Sequence, residues 1–513
     1  MRRDLLAILS FANICYLRMW SERLTYTHAD TFLMVTPPPP AVYCALMANV
    51  LLAAAAIFIL SRLAKRCFTG AKRRYLEMAI VIGLCFPLNA VRAVMATEYP
   101  YLKSPLIALL GWRGMVLLGV CLLVAGAIAV FYYHRQVSRG VVTVLRALAP
   151  FCLVTFGQAA WRATHYDASG YANNPTVPLT APAKQLPRVV WFIADEWDYR
   201  LTFEKRDPTL DLPELDRLRK QAIFSEHTFP PGMETRLSMP GYFTGRFVNH
   251  VRYDGPRELQ LLFRNQSQER PWSAQPSVFQ QARETGANTA LVDWFEPTCR
   301  VLTGLNYCTW RPLAMQHNST GDHFTQILVN QDRSLFETNL FSLFGRSLPT
   351  EQHTRMYHGV MGDATQLIGD PNYAFTVIHL PIPHEPHGYD RKTKTFTLGN
   401  SPYTGYVDSL ALLDRTVGEL RQTMERAGTW DSTTVLFTSD HHYRQDVMVD
   451  GVTDYRIPYI LKLEGQKEGV AYSPAFNSIL TGELLLAVLR GEVADSAAAV
   501  SWIDRNRSRF ALH

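Results

Sequence analysis

The stretch "RVVWFIADEWD" (residues 188–198) marks where the character of the chain changes. It is a continuous apolar run that ends in acidic residues, as a buried parallel strand does. Three later runs have the same character: "NTALVDWF" (288–295), "AFTVIHLP" (374–381) and "TTVLFTSDHH" (433–442). A helical pattern at 403–428 lies between the last two and ends at Gly428. Strands that alternate with helices predict an α/β domain with a mainly parallel sheet and helices on both faces.

The chain before this stretch is apolar in long runs. Four runs reach the roughly 20 residues that a bilayer span requires; they are residues 41–63, 78–96, 105–133 and 141–161. A fifth run, 5–20, is shorter and carries Arg18, so an interfacial helix or a signal-peptide core remain alternatives to a span. The pattern predicts an N-terminal transmembrane helical domain of about five helices over residues 1–162.

The basic loops predict how these helices are oriented. The loop "RLAKRCFTGAKRR" (62–74) and the loop "HRQVSRG" (134–140) are rich in Lys and Arg, whereas "TEYPYLK" (97–103) between them has one. Because basic loops face the cytoplasm, everything after residue 162 is expected on the periplasmic or outer side of the inner membrane. We therefore predict a linker over residues 163–187 and an extracytoplasmic catalytic domain over residues 188–513.

Charge and cysteine usage narrow the classes of function. The net charge of +6 is modest, and no basic stripe with interleaved aromatic residues is visible, which disfavours nucleic-acid binding. Six of the eight cysteines fall in the apolar first third, where a free thiol behaves as a small apolar group. Cys299 and Cys308 favour a local disulfide if this part lies outside the cytoplasm, and are otherwise two unrelated thiols.

Polar clusters follow three of the predicted strands. They are Asp195 with Glu196, then His379, His384 and His387, and then Asp440, His441 and His442. Taken singly, each cluster is explained by a helix cap, a turn or a solvated loop. In open α/β sheets, however, ligands bind beyond the carboxyl ends of the strands. Carboxylates and imidazoles are ligands for zinc-like or manganese-like ions, so the three clusters together favour a metal site.

These motifs resemble the alkaline phosphatase superfamily, in its sulfatase-like branch. "VVWFIADEWD" resembles the opening strand with its acidic metal ligands, and "TTVLFTSDHH" the late Asp-His ligand pair. "HLPIPHEPH" resembles the histidine segment of that branch. "LPELDRLRKQAIFSEHTFPPGMETRLSMPGYFTGR" resembles the segment that carries a helix, the nucleophile and a final "TGR". The resemblance covers nearly all of residues 188–465.

The resemblance implies that Thr235, nine residues before Thr244 of the "TGR", is the nucleophile. Sulfatases carry there a Cys or Ser that is converted to formylglycine, with Pro and Arg where this chain has Leu237 and Met239. Thr has no route to formylglycine by that pathway, so hydrolysis of sulfate esters is disfavoured. "TRLSMPGYF" is instead similar to the nucleophile segment of phosphoethanolamine transferases. Those enzymes, like lipoteichoic acid synthases, have about five membrane spans and an outward-facing catalytic domain.

The implied activity is a metal-dependent phosphotransfer through a phospho-threonine intermediate. A phospholipid would donate its head-group phosphate, as phosphoethanolamine or a related group, to a glycan or lipid acceptor of the cell envelope. The expected cofactor is a divalent metal, zinc first, with manganese, magnesium or calcium as alternatives. The implied metal ligands are Asp195, Glu196, Thr235, Asp440 and His441. His384 and His387 are the candidates for phosphate contact or for protonation of the leaving group.

Several alternatives stay open at this stage. The "Asp195-Glu196" pair stands where the transferases have a single Glu, so one or both acids could bind the metal. His379 could equally be a core histidine, and His442 and Arg444 could contact substrate phosphate. The same site could run a phosphodiester hydrolysis with water as acceptor, or a sulfatase reaction without formylglycine. The domain could also be a non-catalytic membrane scaffold.

Overall fold

The computed structural model describes residues 2–24, 38–69, 71–98, 103–181, 186–312, 323–340, 347–397 and 402–512. Two compact units make up this part of the chain. A helical unit takes in the described residues up to Asp167 and, from later in the chain, the helix around residues 324–339. The second unit corresponds to the predicted catalytic domain and is called the catalytic unit; its described residues run from Ala168 to Leu512, apart from that later insertion.

The elements are numbered in chain order. The helices are α1 (Arg2–Cys15), α2 (Leu17–Leu24), α3 (Pro40–Cys67), α4 (Ala71–Gly83), α5 (Leu88–Glu98), α6 (Lys103–Ala147), α7 (Pro150–Thr164), α8 (Pro213–Arg219), α9 (Thr235–Thr244), α10 (Val278–Glu284), α11 (Thr298–Val301), α12 (Phe324–Asn339), α13 (Ser347–Gly369), α14 (Pro402–Arg426), α15 (Val447–Asp450), α16 (Thr481–Leu489) and α17 (Ser496–Asn506). The strands are β1 (Arg188–Asp195), β2 (Ile223–Phe229), β3 (Val248–Tyr253), β4 (Leu259–Phe263), β5 (Arg270–Pro271), β6 (Thr289–Trp294), β7 (Tyr307–Arg311), β8 (Phe375–Pro383), β9 (Tyr389–Asp390), β10 (Thr395–Phe396), β11 (Thr433–Ser439), β12 (Ile457–Lys462), β13 (Val470–Tyr472) and β14 (Phe476–Asn477).

In the part of the chain that the structure describes, fewer helices of the helical unit qualify as membrane spans than hydropathy predicts. Among the described residues, Pro40–Cys67 and Lys72–Arg92 are long and apolar enough to cross a membrane. A third span results if Phe131–Ala147 and Pro150–Thr164, bent by 41°, count as one. The expectation of about five spans is therefore too high for the part of the chain that the structure describes. One reason is that α1 has only 14 residues, which is too short for a bilayer of ordinary thickness.

The catalytic unit is built on one large mixed sheet. Its strand order is β13-β2-β12-β11-β1-β8-β6-β7, with β14 also paired to β2. The central strands β11, β1, β8, β6 and β7 are parallel, as the sequence predicts. Strand β12 is antiparallel to both β11 and β2, which makes the sheet mixed. Two small antiparallel sheets, β3-β4-β5 and β9-β10, lie outside it.

Strand β1 is buried on both faces of this sheet. Val189, Trp191 and Ile193 point into one apolar core, together with residues of α9, α10 and α16. Val190 and Phe192 point into the opposite core, with residues of α8, α13 and α14. Because successive side chains of a strand alternate between faces, a run that is apolar throughout suits a strand covered on both sides.

The predicted linker is anchored on the catalytic unit from Ala168 onward. After a short 3-10 turn, the Asn174 amide donates to the Cys299 carbonyl (2.8 Å) and the Val177 amide to the Leu305 carbonyl (2.9 Å). Cys299 and Cys308 are joined in a disulfide in this same region. The disulfide that the sequence favoured for an extracytoplasmic domain is therefore formed.

Candidate active site

The polar residues of the site lie where the parallel strands end. Asp195 is the last residue of β1, and Asp440 and His441 directly follow β11. His379 lies at the middle of β8, where it pairs with Ile193 of β1. Because parallel strands share the direction of their carboxyl ends, these side chains reach the same edge of the sheet.

Thr235 is the first residue of α9, and the local sequence explains how it is held there. Glu234 precedes it in an extended conformation (φ −155°). A side chain at Gly232 would place its Cβ 2.7 Å from the Leu237 Cβ, so the turn into the helix requires glycine. Gly245 ends the helix in the left-handed region (φ 67°). Thr235 thus lies at the positive end of a helix dipole, which favours an anionic ligand.

The Thr235 hydroxyl lies at the centre of a buried cluster of three side chains. Its Oγ1 is 2.8 Å from Asp440 Oδ2, 3.2 Å from Asp195 Oδ2 and 3.4 Å from His441 Nε2. The candidate ligand atoms of Asp195, Asp440 and His441 lie within 4.8 Å of one another. All four residues are buried. The structure therefore brings together four of the five metal ligands that the resemblance implies.

The hydrogen bonds around the cluster suit a cation. The His441 ring nitrogen Nδ1 is 2.8 Å from the His442 carbonyl, to which its N–H donates, so that the lone pair of Nε2 faces the cluster. Asp195 Oδ1 is buried and has no hydrogen-bond partner among the described residues. Burial raises the pKa of Asp195 well above its ordinary value, and the charges of Asp440 and Glu196 add to this. A divalent ion would offset these costs, so the residues present fit one.

The side chain of Glu196 is paired with Arg444. Its carboxylate Oε1 is 2.6 Å from Arg444 Nε, while its backbone amide donates to Asp440 Oδ1 (3.1 Å). Burial by itself would raise the pKa of Glu196, but interactions with His384, His441 and Arg444 outweigh it and hold the pKa below its ordinary value. Glu196 has φ of 63°, an unusual conformation for a residue with a side chain. Its role as a metal ligand stays a prediction.

The two predicted catalytic histidines have different surroundings. His384 Nε2 lies 3.3 Å from Arg444 Nη2, and its Nδ1 contacts the Glu385 carbonyl. His384 is thereby linked to Glu196 through Arg444. His387 Nδ1 instead lies 3.1 Å from the Ser409 hydroxyl of α14. Burial lowers the pKa of His387 to about 4, so it is neutral at physiological pH.

His379 lies between Asp195 of the cluster and Asp293 of β6. Its Nδ1 is 2.8 Å from Asp293 Oδ1 and its Nε2 is 3.8 Å from Asp195 Oδ2. The Trp294 indole donates to the same Nε2 (3.2 Å), which therefore accepts, so Nδ1 carries the proton given to Asp293. Asp293 and Trp294 are absent from the predicted set. Their signal was an acid at the end of an otherwise apolar strand, in "NTALVDWF".

Glu296 is a further buried acid that sequence reasoning did not single out. It follows Phe295, a non-glycine residue with φ of 76°. Among the described residues its carboxylate oxygens have no hydrogen-bond partner. Burial, together with the charge of Asp293, raises the pKa of Glu296 to about 8, so the side chain carries a proton at neutral pH.

The sulfatase family model matches residues 187–480, more than half of the chain. The chain belongs to the sulfatase family. Every site residue described above lies within the matched range. The match confirms the sulfatase-like branch predicted from the motifs and leaves the finer assignment to a transferase subgroup as a proposal.

Solved structures of low identity accompany this match. An alkaline phosphatase superfamily protein from Vibrio parahaemolyticus is 13% identical, with coverage of 63% of this chain and 71% of that one and a TM-score of 0.40. The phosphonate monoester hydrolase of Agrobacterium radiobacter is 15% identical, with coverage of 59% and 74% and a TM-score of 0.37. The PsFucS1 sulfatase from Pseudoalteromonas sp. is 14% identical, with coverage of 59% and 68% and a TM-score of 0.40. No curated protein matches the chain.

Proposed function

We propose that this sulfatase-family protein is a metal-dependent phosphotransferase that acts on a phospholipid head group. Thr235 takes up the head-group phosphate, phosphoethanolamine or a related group, and passes it to a glycan or lipid acceptor of the cell envelope. The observation that carries the proposal is the Thr235 hydroxyl, which lies within 3.4 Å of Asp195, Asp440 and His441.

The identity of the nucleophile separates this reaction from sulfate hydrolysis. Formylglycine is an aldehyde, and it forms from a residue whose Cβ carries only hydrogen besides Sγ or Oγ. The Cβ of Thr235 also carries a methyl group, so its oxidation would give a ketone. The hydroxyl itself is then the reactive group, and it is activated by loss of its proton.

The first half-reaction forms the phospho-threonine. Thr235 Oγ1 gives its proton to Asp440 Oδ2, 2.8 Å away, and forms a bond to the phosphorus. The bond between the phosphorus and the glycerol oxygen of the lipid breaks. Once Arg444 turns from His384 Nε2 to the phosphate, the departing oxygen takes a proton from the imidazolium form of His384, the candidate acid, and leaves as diacylglycerol.

The second half-reaction reverses these proton movements. The acceptor hydroxyl loses its proton to His384 and forms a new bond to the phosphorus. The bond between the phosphorus and Oγ1 breaks, and Thr235 recovers its proton from Asp440. With water in place of the acceptor, the same steps would amount to phosphodiester hydrolysis.

Asp195, Asp440, His441 and the Thr235 oxygen would hold the divalent cation, with zinc as the first choice and manganese, magnesium or calcium as alternatives. When bound, such an ion lowers the pKa of the hydroxyl and neutralises charge on the phosphate oxygens. Arg444 would contact the phosphate, because its side chain is 49% exposed while its carboxylate partner Glu196 is buried.

The donor follows from the helical unit. Two or three of its helices are long and apolar enough to span a membrane, which is consistent with anchoring of the catalytic unit there. The basic loops predict that the catalytic unit faces the periplasm or the cell exterior, on the side of the outer-leaflet head groups. A phospholipid of that leaflet is therefore the proposed donor.

The test is mass spectrometry on full-length protein incubated with phosphatidylethanolamine vesicles and zinc. Intact protein and the Thr235 peptide are analysed, with Thr235→Ala beside the wild type. Thr244→Ala is the matched control, because this threonine lies on the same helix and its hydroxyl bonds only the Pro240 carbonyl (2.7 Å).

A phosphoethanolamine adduct in the wild type and in Thr244→Ala, but not in Thr235→Ala, would support the proposal. Release of phosphoethanolamine with no detectable adduct would favour the hydrolase. Neither adduct nor product, in protein that binds no metal, would favour the non-catalytic scaffold and overturn the proposal.

A further inference from the structure

Helix α12 lies in the sequence of the catalytic unit but packs within the helical unit. Its Gln331 side chain donates to the Val42 carbonyl of α3 (3.0 Å). Asn49 of α3 donates in turn to Gln331 Oε1 and to the Leu328 carbonyl, both at 3.1 Å. Ile327 and Leu335 complete the buried face. These buried polar contacts fix the position of α12 against α3.

The carboxyl-terminal half of α12 is held by two other helices of the same unit. The Tyr16 hydroxyl, just after α1, donates to Asp332. The Asn89 side chain of α5 donates to the Thr338 carbonyl, and the Ala90 amide donates to Asn339 Oδ1 (3.2 Å). Helix α12 is therefore an integral member of the helical bundle.

The exposed face of α12 is unusual for a helix in water. Val329 is 57% exposed, Phe336 49% and Phe324 45%, and Val329 and Phe336 lie two turns apart on one face. The charged residues Asp332, Arg333 and Glu337 are all partly buried. An amphipathic helix in water shows the opposite pattern, with its charges outward and its apolar side chains inward. The pattern of α12 fits an apolar surrounding.

The neighbours of α12 indicate which part of the bilayer this is. Helix α3 contacts α12 through residues 42–49, at its amino-terminal end, and exposes Leu51 and Leu52 just beyond them. The opposite end of α3 runs into the basic loop 62–74, which is predicted to be cytoplasmic. The end of α3 that binds α12 is then the outer one.

We infer that the Val329–Phe336 face of α12 contacts lipid acyl chains in the outer leaflet. The catalytic sequence thus supplies its own membrane anchor between β7 and α13, in addition to the N-terminal connection. The inference rests on the membrane topology of the proposed function, but not on the chemistry at Thr235. It adds a reason for a lipid donor, because α12 would hold this part of the chain at the leaflet whose phospholipids are the proposed donors.

The test measures the surroundings of residue 329 in full-length protein in phospholipid nanodiscs. The exposed free cysteines, Cys44, Cys67, Cys85 and Cys121, are first replaced by serine. Val329→Cys then receives a nitroxide spin label, and collision rates with oxygen and with a water-soluble nickel chelate are compared. Leu52→Cys on α3 is the lipid-facing control, and Ala497→Cys, exposed on α17, is the water-facing control.

The expected oxygen-to-nickel collision ratio at residue 329 is close to that at residue 52 and well above that at residue 497. Phe336→Cys should give the same result and guards against a local disturbance at residue 329. A ratio like that of residue 497 would overturn the inference. Low collision rates with both reagents would also overturn it, since a protein partner would then cover the face.

Failure here and failure of the proposed function are distinguishable. A water-like ratio at residue 52 as well would overturn the membrane topology itself. The adduct on Thr235 is measured separately, so its presence with a water-like residue 329 would retain the phosphotransfer and remove only the anchor.

Discussion

Replacement of Asp440 by Asn tests the candidate metal site, because it removes one negative charge of the cluster and keeps the shape of the side chain. Asn keeps the shape of the side chain and the Oδ1 acceptor, which receives the amides of Glu196 (3.1 Å) and His441 (2.7 Å). It removes the negative charge of Oδ2, 2.8 Å from the Thr235 hydroxyl. The substitution therefore changes charge while the local hydrogen bonds of the backbone stay satisfied.

The distance between the ligand atoms sets the size of the expected change in stability. The ligand atoms lie within 4.8 Å of one another. Two unit charges at that separation repel by about 3 kcal/mol at an effective dielectric constant of roughly 20. The repulsion that the substitution relieves is smaller than the full Coulomb value, because the raised pKa of Asp195 lets it take up a proton. Without metal, Asp440→Asn should stabilise the protein by about 1 to 3 kcal/mol, or several degrees in melting temperature.

When metal is bound, the effect of Asp440→Asn on stability changes from stabilising to destabilising. A ligand present at about 100 times its dissociation constant stabilises the folded state by roughly 2.7 kcal/mol. Asp440→Asn has lost one anionic ligand and should gain much less from the same concentration of ion. The variant is then more stable than the wild type in chelator and less stable in excess zinc.

The assay is thermal unfolding of full-length protein in detergent, followed by tryptophan fluorescence, in EDTA and across a zinc titration. Asp414→Asn is the control, because Asp414 is a buried acid on α14 outside the ligand group. Its effect should be the same with and without zinc. Two results would refute a cation site at this cluster. One is an Asp440→Asn variant that is less stable than the wild type in EDTA. The other is a variant that gains as much stability from zinc as the wild type does.

Three other predictions test the site and its surroundings. Thr235→Ser keeps the hydroxyl and should retain adduct formation within about tenfold of the wild type in the mass-spectrometric assay, whereas Thr235→Ala should abolish it. In Arg444→Lys the ammonium group cannot contact both Glu196 and His384, so one charged hydrogen bond is lost. The rate of transfer from radiolabelled lipid should therefore fall by about 10- to 100-fold. An unchanged rate would contradict a role of Arg444 in phosphate contact. Burial raises the pKa of Asp414 to about 7, so its contribution to wild-type stability should fall as pH rises from about 4 to 7. In chemical denaturation, Asp414→Asn should make the fall of stability with pH smaller by about 3 kcal/mol, while the share from Asp195 and Glu296 remains.

The sequence predicted those parts of the site that local patterns determine. The apolar run of β1 indicated a strand buried on both faces, and its acidic end indicated the position of Asp195 at the sheet edge. The resemblance identified Thr235 as the predicted nucleophile through its position nine residues before Thr244 of the "TGR". Each of these features depends on neighbours within about ten residues along the chain.

The parts that it did not predict depend on contacts between distant segments. The antiparallel placement of β12 between β11 and β2 follows from pairing across the sheet, which no local period encodes. The contact of His379 with Asp293 joins residues 86 apart, so His379 was equally compatible with an ordinary core position. Helix α12 shows the same limit, because its periodicity gives an apolar face but cannot say which neighbours cover it.

The charges around Thr235 favour a divalent ion over a monovalent one. Asp195, Glu196 and Asp440 place three carboxylates in a buried space, and the structure supplies Arg444 as a fixed positive partner to Glu196. Asp195 and Asp440, once both are ionised, then carry two negative charges beside Nε2 of His441. A divalent cation would neutralise them fully and would still leave the guanidinium of Arg444, about half exposed, to attract an anionic phosphate. The pairing of Glu196 with Arg444 therefore separates the charge that holds the metal from the charge that attracts the substrate.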